Sequence, residues 1–297
     1  MKVAVIGGAG KMGRWLVKHF LTQGHSVVIS DLKRDEAEAF AERVGAEVAA
    51  GNLEAAEGAD VVLVSVPIEI TPKVLMDVAP NLKENAELVE IASLKTHIIP
   101  VLRKIAESRC VKTVSIHPLF GPGAKKLSEE RIALIPVSNL EMEVKEAGRL
   151  FPGAEIIPVD AEIHDRIMAL TLSVPHFINI AFTSLLGEEN LELLKRLGGT
   201  TFILQLALSE GVMTEDPHLY ASIQMSSDYT IHYLDRLLSK MKSLRDVIAR
   251  KDEEAFSRLY NEARTRISRD ETFRDAYERM YRLLEALKSD RKGSVHI

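Results

Sequence analysis

The 297-residue chain has one cysteine, Cys110, so it can form neither an intrachain disulfide nor a cysteine-based zinc site, and a reducing cytoplasm is the expected compartment. It has no cationic excess. With 38 Lys and Arg against 43 Asp and Glu, its net charge of −5 argues against a nucleic-acid partner gripped by many phosphate contacts. Met1-Lys2 is followed by a run of only four apolar residues before glycines intervene, too short for the core of an export signal. Long hydrophobic runs are also scarce. The one from Ile167 to Gly187 contains Pro175, His176 and Asn179, which lipid tolerates poorly; a helix buried among other helices is expected there, and no membrane association. His164 and His176 are 12 residues apart, more than three helical turns, so they cannot share a metal on a straight helix, and no metal site is expected. What remains is 46% apolar and 27% charged, enough core for about two domains at roughly 150 residues each.

Residues 2 to about 160 alternate short Val- and Ile-rich runs with amphipathic segments. Strands are expected at 2–7, 26–31, 60–66, 86–91, 111–117, 132–137 and 155–159, and helices at 12–22, 35–44, 71–79, 96–107 and 141–150. This alternation implies a mainly parallel sheet with helices on both faces. After Asp160 the strand-like runs stop and helical periodicity continues through 164–186, 191–197, 202–213, 219–250 and 253–287. The reading is thus an α/β dinucleotide-binding domain over 1–160, a helical domain over 161–288, and a polar tail, 289–297, expected to fray.

The first strand runs into Gly8-Ala9-Gly10-Lys11-Met12-Gly13 and a helix follows. Strand, glycine pattern and helix together point to a dinucleotide site. Gly8 serves the turn, Gly10 the approach of a pyrophosphate, Gly13 the helix packing, and the amides of the new helix at Lys11 and Met12 face the phosphates. The second strand ends at Asp31, 18 residues after Gly13, where a carboxylate accepts from a ribose 2′-hydroxyl and repels a 2′-phosphate. NAD is therefore expected, with NADP possible because Lys33 and Arg34 follow at once. Ser65-Val66-Pro67 ends another strand at the same carboxyl edge, with Ser65 and Pro67 as further cofactor contacts.

The strand at 111–116 delivers His117-Pro118-Leu119-Phe120-Gly121-Pro122-Gly123, a stiff loop headed by a histidine at the sheet's carboxyl edge. A neutral imidazole there can accept a proton. Upstream, Ala92-Ser93-Leu94-Lys95 ends the neighbouring strand. Ser93 can hold the imidazole or hydrogen-bond cofactor or substrate, and otherwise caps the next helix; Lys95 can attract a carboxylate.

These motifs, with Glu162-Ile163-His164-Asp165, Asp216-Pro217-His218-Leu219-Tyr220-Ala221-Ser222-Ile223 and Met225-Ser226-Ser227, resemble the prephenate dehydrogenase family over residues 2 to about 230. The resemblance implies a Rossmann domain followed by a helical dimerisation domain, and a homodimer. It implies oxidative decarboxylation of prephenate, or of arogenate, with hydride transfer to NAD(P) while His117 takes the hydroxyl proton. Substrate-side candidates are Lys95, His164, Arg166 and His176. One departure stands out: the family's carboxylate-binding arginine falls at Gly211, and Thr200 to Glu215 contains no Arg or Lys. Lys95, Lys125, Lys126, Arg166, Lys195, Arg196 or an arginine from a second subunit are the replacements to consider. Two other readings compete. A β-hydroxyacid dehydrogenase needs a lysine near Asn179, and none has suitable spacing; a nucleotide-sensing dimer module without chemistry would leave the His117–Pro122 loop idle.

Overall fold

The structure, a computed structural model, describes residues 1–293. Eight strands form one sheet in the order β3-β2-β1-β4-β5-β6-β7-β8: β1 Lys2–Ile6, β2 Ser26–Ser30, β3 Glu47–Val48, β4 Val61–Val64, β5 Glu87–Glu90, β6 Lys112–Pro118, β7 Arg131–Ile135 and β8 Glu155–Pro158. The seven expected strands are all present, and the two-residue edge strand β3, too short to leave a pattern, is the addition. Every pairing is parallel except β6 with β7, where His117 lies opposite Ala133. The reason is the connection. Between β6 and β7 the chain makes only a 3₁₀ turn, Leu127–Glu129, and without a crossover helix a neighbouring strand must return antiparallel.

Helices cover both faces. On one, α1 (Lys11–Thr22), α2 (Arg34–Val44) and α6 (Leu140–Leu150) bury Leu16, Val17, Phe20, Phe40 and Leu150 against the sheet. On the other, α3 (Asn52–Ala56), α4 (Thr71–Val78) and α5 (Ile99–Ser108) bury Ala55, Leu75 and Leu102. Central strands such as β4 (VVLV, buried throughout) are apolar without alternation because neither face meets water. Chain order reverses direction across the sheet at β1 and β4, which leaves a crevice at their carboxyl ends.

The remaining helices are α7 (Ala161–Met168), α8 (Val174–Leu186), α9 (Leu191–Leu197), α10 (Thr200–Met213), α11 (Pro217–Met225), α12 (Asp228–Ala249), α13 (Glu253–Ile267) and α14 (Ala276–Gly293). The chain clusters into two compact units. The first comprises Met1–Ala169 with Ala221–Tyr229, the second Leu170–Tyr220 with Thr230–Ile297. The sheet unit therefore takes in α7, beyond the change of texture at 160, and a short returning segment. Asp160 caps α7, its carboxylate accepting from Glu162 N (2.8 Å) and Ile163 N (3.3 Å).

In the helical unit, α8 and α10 are joined at Asn179, whose Oδ1 accepts from Gln205 Nε2 (2.7 Å) and Ser209 Oγ (2.8 Å). Four expectations change here. The segment at 219–250 is two helices, parted at Ser226-Ser227, and 253–287 is broken by a 3₁₀ turn, Glu271–Asp275, which Asp270 caps through Thr272 N (2.8 Å). The expected frayed tail is helical through Gly293; residues 294–297 lie outside the described residues. Finally, Ala161–Leu186 is a continuous helical run, with one π turn at Ala169–Ser173, apolar and long enough to cross a membrane by length and composition. Among the described residues α8 is fully buried only at Asn179 and is otherwise largely half-buried, short of the enclosure expected for this run.

Candidate active site

The glycine-rich turn takes its shape from Gly7 as well as from the three glycines of the pattern. Gly7 has φ +81°, a left-handed conformation costly for any residue with a Cβ. A Cβ at Gly13 would sit 2.1 Å from Gly7 O, so α1 can lie this close to the turn only because position 13 is bare. Gly10 is the N-cap of α1 and offers no side-chain cap. The first amides of a helix have no intrahelical acceptor, so this end presents donors suited to phosphate. Asp31, just past β2, accepts from Ala9 N (2.9 Å) through one oxygen and Lys33 N (2.9 Å) through the other, which fixes its carboxylate beside the turn. Nearby cations are matched by carboxylates: Arg14 and Lys33 with Glu36 (3.1 and 3.3 Å), Arg34 with Glu38 (2.7 Å). Lys11 is exposed and Met12 half-buried at the helix start. Ser65 donates its amide to Ile6 O (2.8 Å), continuing the β1–β4 ladder to the edge, and Pro67 O accepts Thr71 Oγ1 (3.0 Å) at the start of α4.

His117 is the last residue but one of β6 and 7% exposed. Its Nδ1 lies 3.0 Å from His164 Nε2, and His164 Nδ1 lies 2.8 Å from Asp165 Oδ1. The Asp165 carboxylate also accepts from Lys95 N (2.9 and 3.0 Å), Thr96 N (2.8 Å) and Thr96 Oγ1 (2.5 Å). Every partner of Asp165 is a donor. Burial acts to raise its pKa, but the bonds from His164 and Thr96 outweigh burial and hold it below the usual carboxylate range. An ionised Asp165 requires the proton of His164 on Nδ1. His164 Nε2 is then an acceptor, His117 Nδ1 its donor, and the lone pair of His117 is left on Nε2 (an assignment from the network). Burial first, then His164 and the Lys95 ammonium, push the His117 pKa well below the ordinary histidine value.

Lys95 does not face a ligand. Its side chain is fully buried, with Nζ 2.7 Å from Glu90 Oε1 and 2.6 Å from Ile116 O, which corrects the expectation that it meets a substrate carboxylate. The imidazole is held by His164 where Ser93 was one expected holder; Ser93 remains half-buried at the carboxyl edge. Arg166 is exposed on α7, about 200° around the helix from His164, and so points away from the histidine pair. His176 belongs to the helical unit, packed edge-on to Tyr220 at 4.6 Å; its buried Nδ1 has no hydrogen-bond partner, and burial lowers its pKa. Among the described residues no group of three or more His, Cys, Asp or Glu is placed to hold a metal.

Two further contacts escaped the sequence. Trp15 Nε1 donates to Ala124 O (2.9 Å) and its ring meets Phe120 at 5.0 Å, pinning the loop after His117 onto α1, while His19 stacks on the indole at 5.2 Å. Ser222, on the returning segment, hydrogen-bonds Glu69 just past Pro67. Neither pairing has a local signature, since each joins residues more than a hundred positions apart.

Comparison with known proteins agrees with this layout. Residues 2–93 match the family model described as NADP oxidoreductase coenzyme F420-dependent, and 160–262 match the prephenate dehydrogenase dimerization domain. A probable arogenate/prephenate dehydrogenase of Methanocaldococcus jannaschii is 27% identical over 89% of this chain and 60% of its own length. The T-protein of Enterobacter agglomerans is 28% identical over 87% of this chain and 65% of its own. The chain thus spans under two thirds of the length of these relatives. Among solved structures, prephenate dehydrogenase from A. aeolicus in complex with hydroxyphenyl propionate and NAD+ shares the fold, with TM-score 0.74 and 19% identity over 91% of this chain and 98% of that one.

Proposed function

We propose that the chain, which matches the prephenate dehydrogenase dimerization domain over residues 160–262 and is 27% identical to a probable arogenate/prephenate dehydrogenase, belongs to that family and oxidises a cyclohexadienyl acid, prephenate first among them, with NAD as coenzyme and His117 as general base. The observation that carries this reading is the His117–His164–Asp165 chain, which leaves a single lone pair, on His117 Nε2, at the carboxyl edge of the sheet.

The coenzyme fits the residues present. The bare positions at Gly7 and Gly13 let α1 begin against the turn, and Asp31 is fixed where a ribose hydroxyl would donate to it. A bound nicotinamide supplies the hydride acceptor. His117 Nε2 takes the C4 hydroxyl proton as the C4–H bond breaks, when that hydroxyl becomes far more acidic, so the base acts mainly in the transition state. The charge that forms on His117 is met through Nδ1–H by His164 and, behind it, Asp165. With C4 now a ketone, the ring carboxylate leaves as CO₂ and its electron pair closes the aromatic ring. The phenolate oxygen recovers the proton from His117, giving 4-hydroxyphenylpyruvate. Ser93 hydrogen-bonds coenzyme or substrate at the same edge.

NAD is favoured over NADP because Arg14, Lys33 and Arg34 already face Glu36 and Glu38, leaving a 2′-phosphate among carboxylates. The preference is graded, since exposed ion pairs are worth only ~0–1 kcal/mol each. Of the cations weighed for the carboxylate role, Lys126 pairs with Glu129 and Lys195 with Glu210 (3.7 and 2.6 Å). We assign that role to Lys125, exposed on the loop leaving His117. A second copy of the chain covers the apolar faces of the helical unit, making the working form, in the cytoplasm, a homodimer. Four initial rates, prephenate or arogenate with NAD+ or NADP+, followed by absorbance of the reduced coenzyme, test the reading. Prephenate with NAD+ should be fastest; no turnover in any of the four defeats it.

A further inference from the structure

Beneath the proposed base lies a charged cluster for which the reaction has no direct use. Lys95 and Glu90 are both 0% exposed and 2.7 Å apart. Glu90 Oε1 also accepts from Ser115 Oγ, and its Oε2 from Ala92 N (2.8 Å). Lys95 Nζ reaches across to Ile116 O (2.6 Å), the carbonyl immediately before His117, while Lys95 N is bound by Asp165. Burial lowers the Lys95 pKa, and Glu90 and Asp165 oppose that shift. Burying such a pair costs several kcal/mol per ion before their attraction offsets it, so stability alone is a poor account of its presence. Its bonds instead converge on one place. They join the end of β5, which leads into Ser93, to the end of β6 and to α7, which carry His117 and His164.

We propose that Lys95 is a positioning residue for the base: through Ile116 O and Glu90 it fixes the end of β6 that presents His117, and its ammonium is the fixed positive charge beneath that imidazole. The inference rests on His117 acting as the base. The charged and titratable groups around His117 are His164 and Asp165 from α7, Lys95 from the loop after β5, and Glu90 from β5, tied to Lys95. A positive charge there disfavours protonation of His117, so the neutral base persists further into acid than an ordinary histidine would.

The test is Lys95→Met, compared with the double replacement Glu90→Gln/Lys95→Met, which removes both charges and is the variant to use if the single one fails to fold. The pH profile of kcat/KM in the intact protein is read together with the pH titration of the His117 ring by NMR, which needs no turnover. Loss of the charge should move the acid limb and the ring titration upward together, by about one pH unit in the single variant and less in the double. The plateau of kcat should fall roughly 10–10²-fold, as expected for a slightly misplaced base. A limb and ring titration left at the wild-type position in whichever variant folds overturns the role of Lys95, whatever happens to the plateau. Failure of the underlying reading looks different: His117→Asn would then retain turnover, and the limb would not track the ring.

Discussion

The two units solve the problem of burial in opposite ways. The sheet unit hides its apolar strands under helices on both faces, and its buried charges meet partners: Glu90 with Lys95, Asp165 with His164, and Glu143 with the amides of Val137, Ser138 and Asn139. Among the described residues of the helical unit, the only large apolar side chains counted as buried are Leu206, Val247 and Leu284, while Leu185, Leu197, Leu208 and Ile231 are 60–78% exposed. Apolar surface of that extent is unusual on an isolated unit and fits the second copy of the chain proposed above. The difference teaches where each job is done. On the proposed reading the chemistry sits on the unit that encloses its own core, and the unit with the exposed apolar residues supplies the assembly.

The strongest break of this division is His117→Asn. It should lower kcat by about 10²–10⁴ while NAD+ affinity, measured by titration calorimetry, stays at the wild-type value, since the glycine turn and Asp31 are untouched. Loss of NAD+ binding in step with kcat would mean that the histidine supports the fold of the crevice and is not its base. Next in size, Leu197→Glu with Leu208→Glu should give a monomer in sedimentation and a separate, earlier melting transition for the helical unit, with coenzyme binding retained. A dimer surviving both charges would refute the assignment of this face.

Asp165→Asn sharpens the comparison at the smallest scale. It weakens the acceptor for Lys95 N, Thr96 and His164, and should cost about 1–3 kcal/mol in a urea titration at pH 7. The sign with pH follows from the direction of the shift. The folded Asp165 pKa lies below its unfolded value, so its stabilisation is fully present above the unfolded value of about 3.9 and is lost as pH falls through the folded pKa. The gap between wild type and Asp165→Asn should therefore narrow in acid, and a gap that widens there contradicts the ionised assignment.

Much of the sheet unit was legible because its signals are local. Unbroken Val and Ile runs locate buried strands, and Gly8–Gly13 between a strand and a helix locates the phosphate turn. His117 could be singled out because a proline–glycine loop follows a strand directly. The left-handed residue of the turn is Gly7, which the six-residue pattern does not include. Lys95 looked like a ligand because its sequence neighbours are loop residues; only the distant Glu90–Ser115 pairing shows that it is enclosed. His164 and Asp165 stand in a motif, but that one holds the His117 imidazole and the other sets its tautomer depends on α7 lying at the end of β6. The helical unit was read with its helices too long, since hydrophobic periodicity passes over the break at Ser226-Ser227 and the 3₁₀ turn that Asp270 caps.

Trp15 is the chain's one tryptophan, and its indole N–H is bonded to the backbone of the loop that leaves His117. The protein's ultraviolet emission above the tyrosine band therefore comes from a single point, at the seam between α1 and the loop that follows His117. Any movement of that loop when ligands arrive will be written in the wavelength and intensity of one fluorophore, with no label attached.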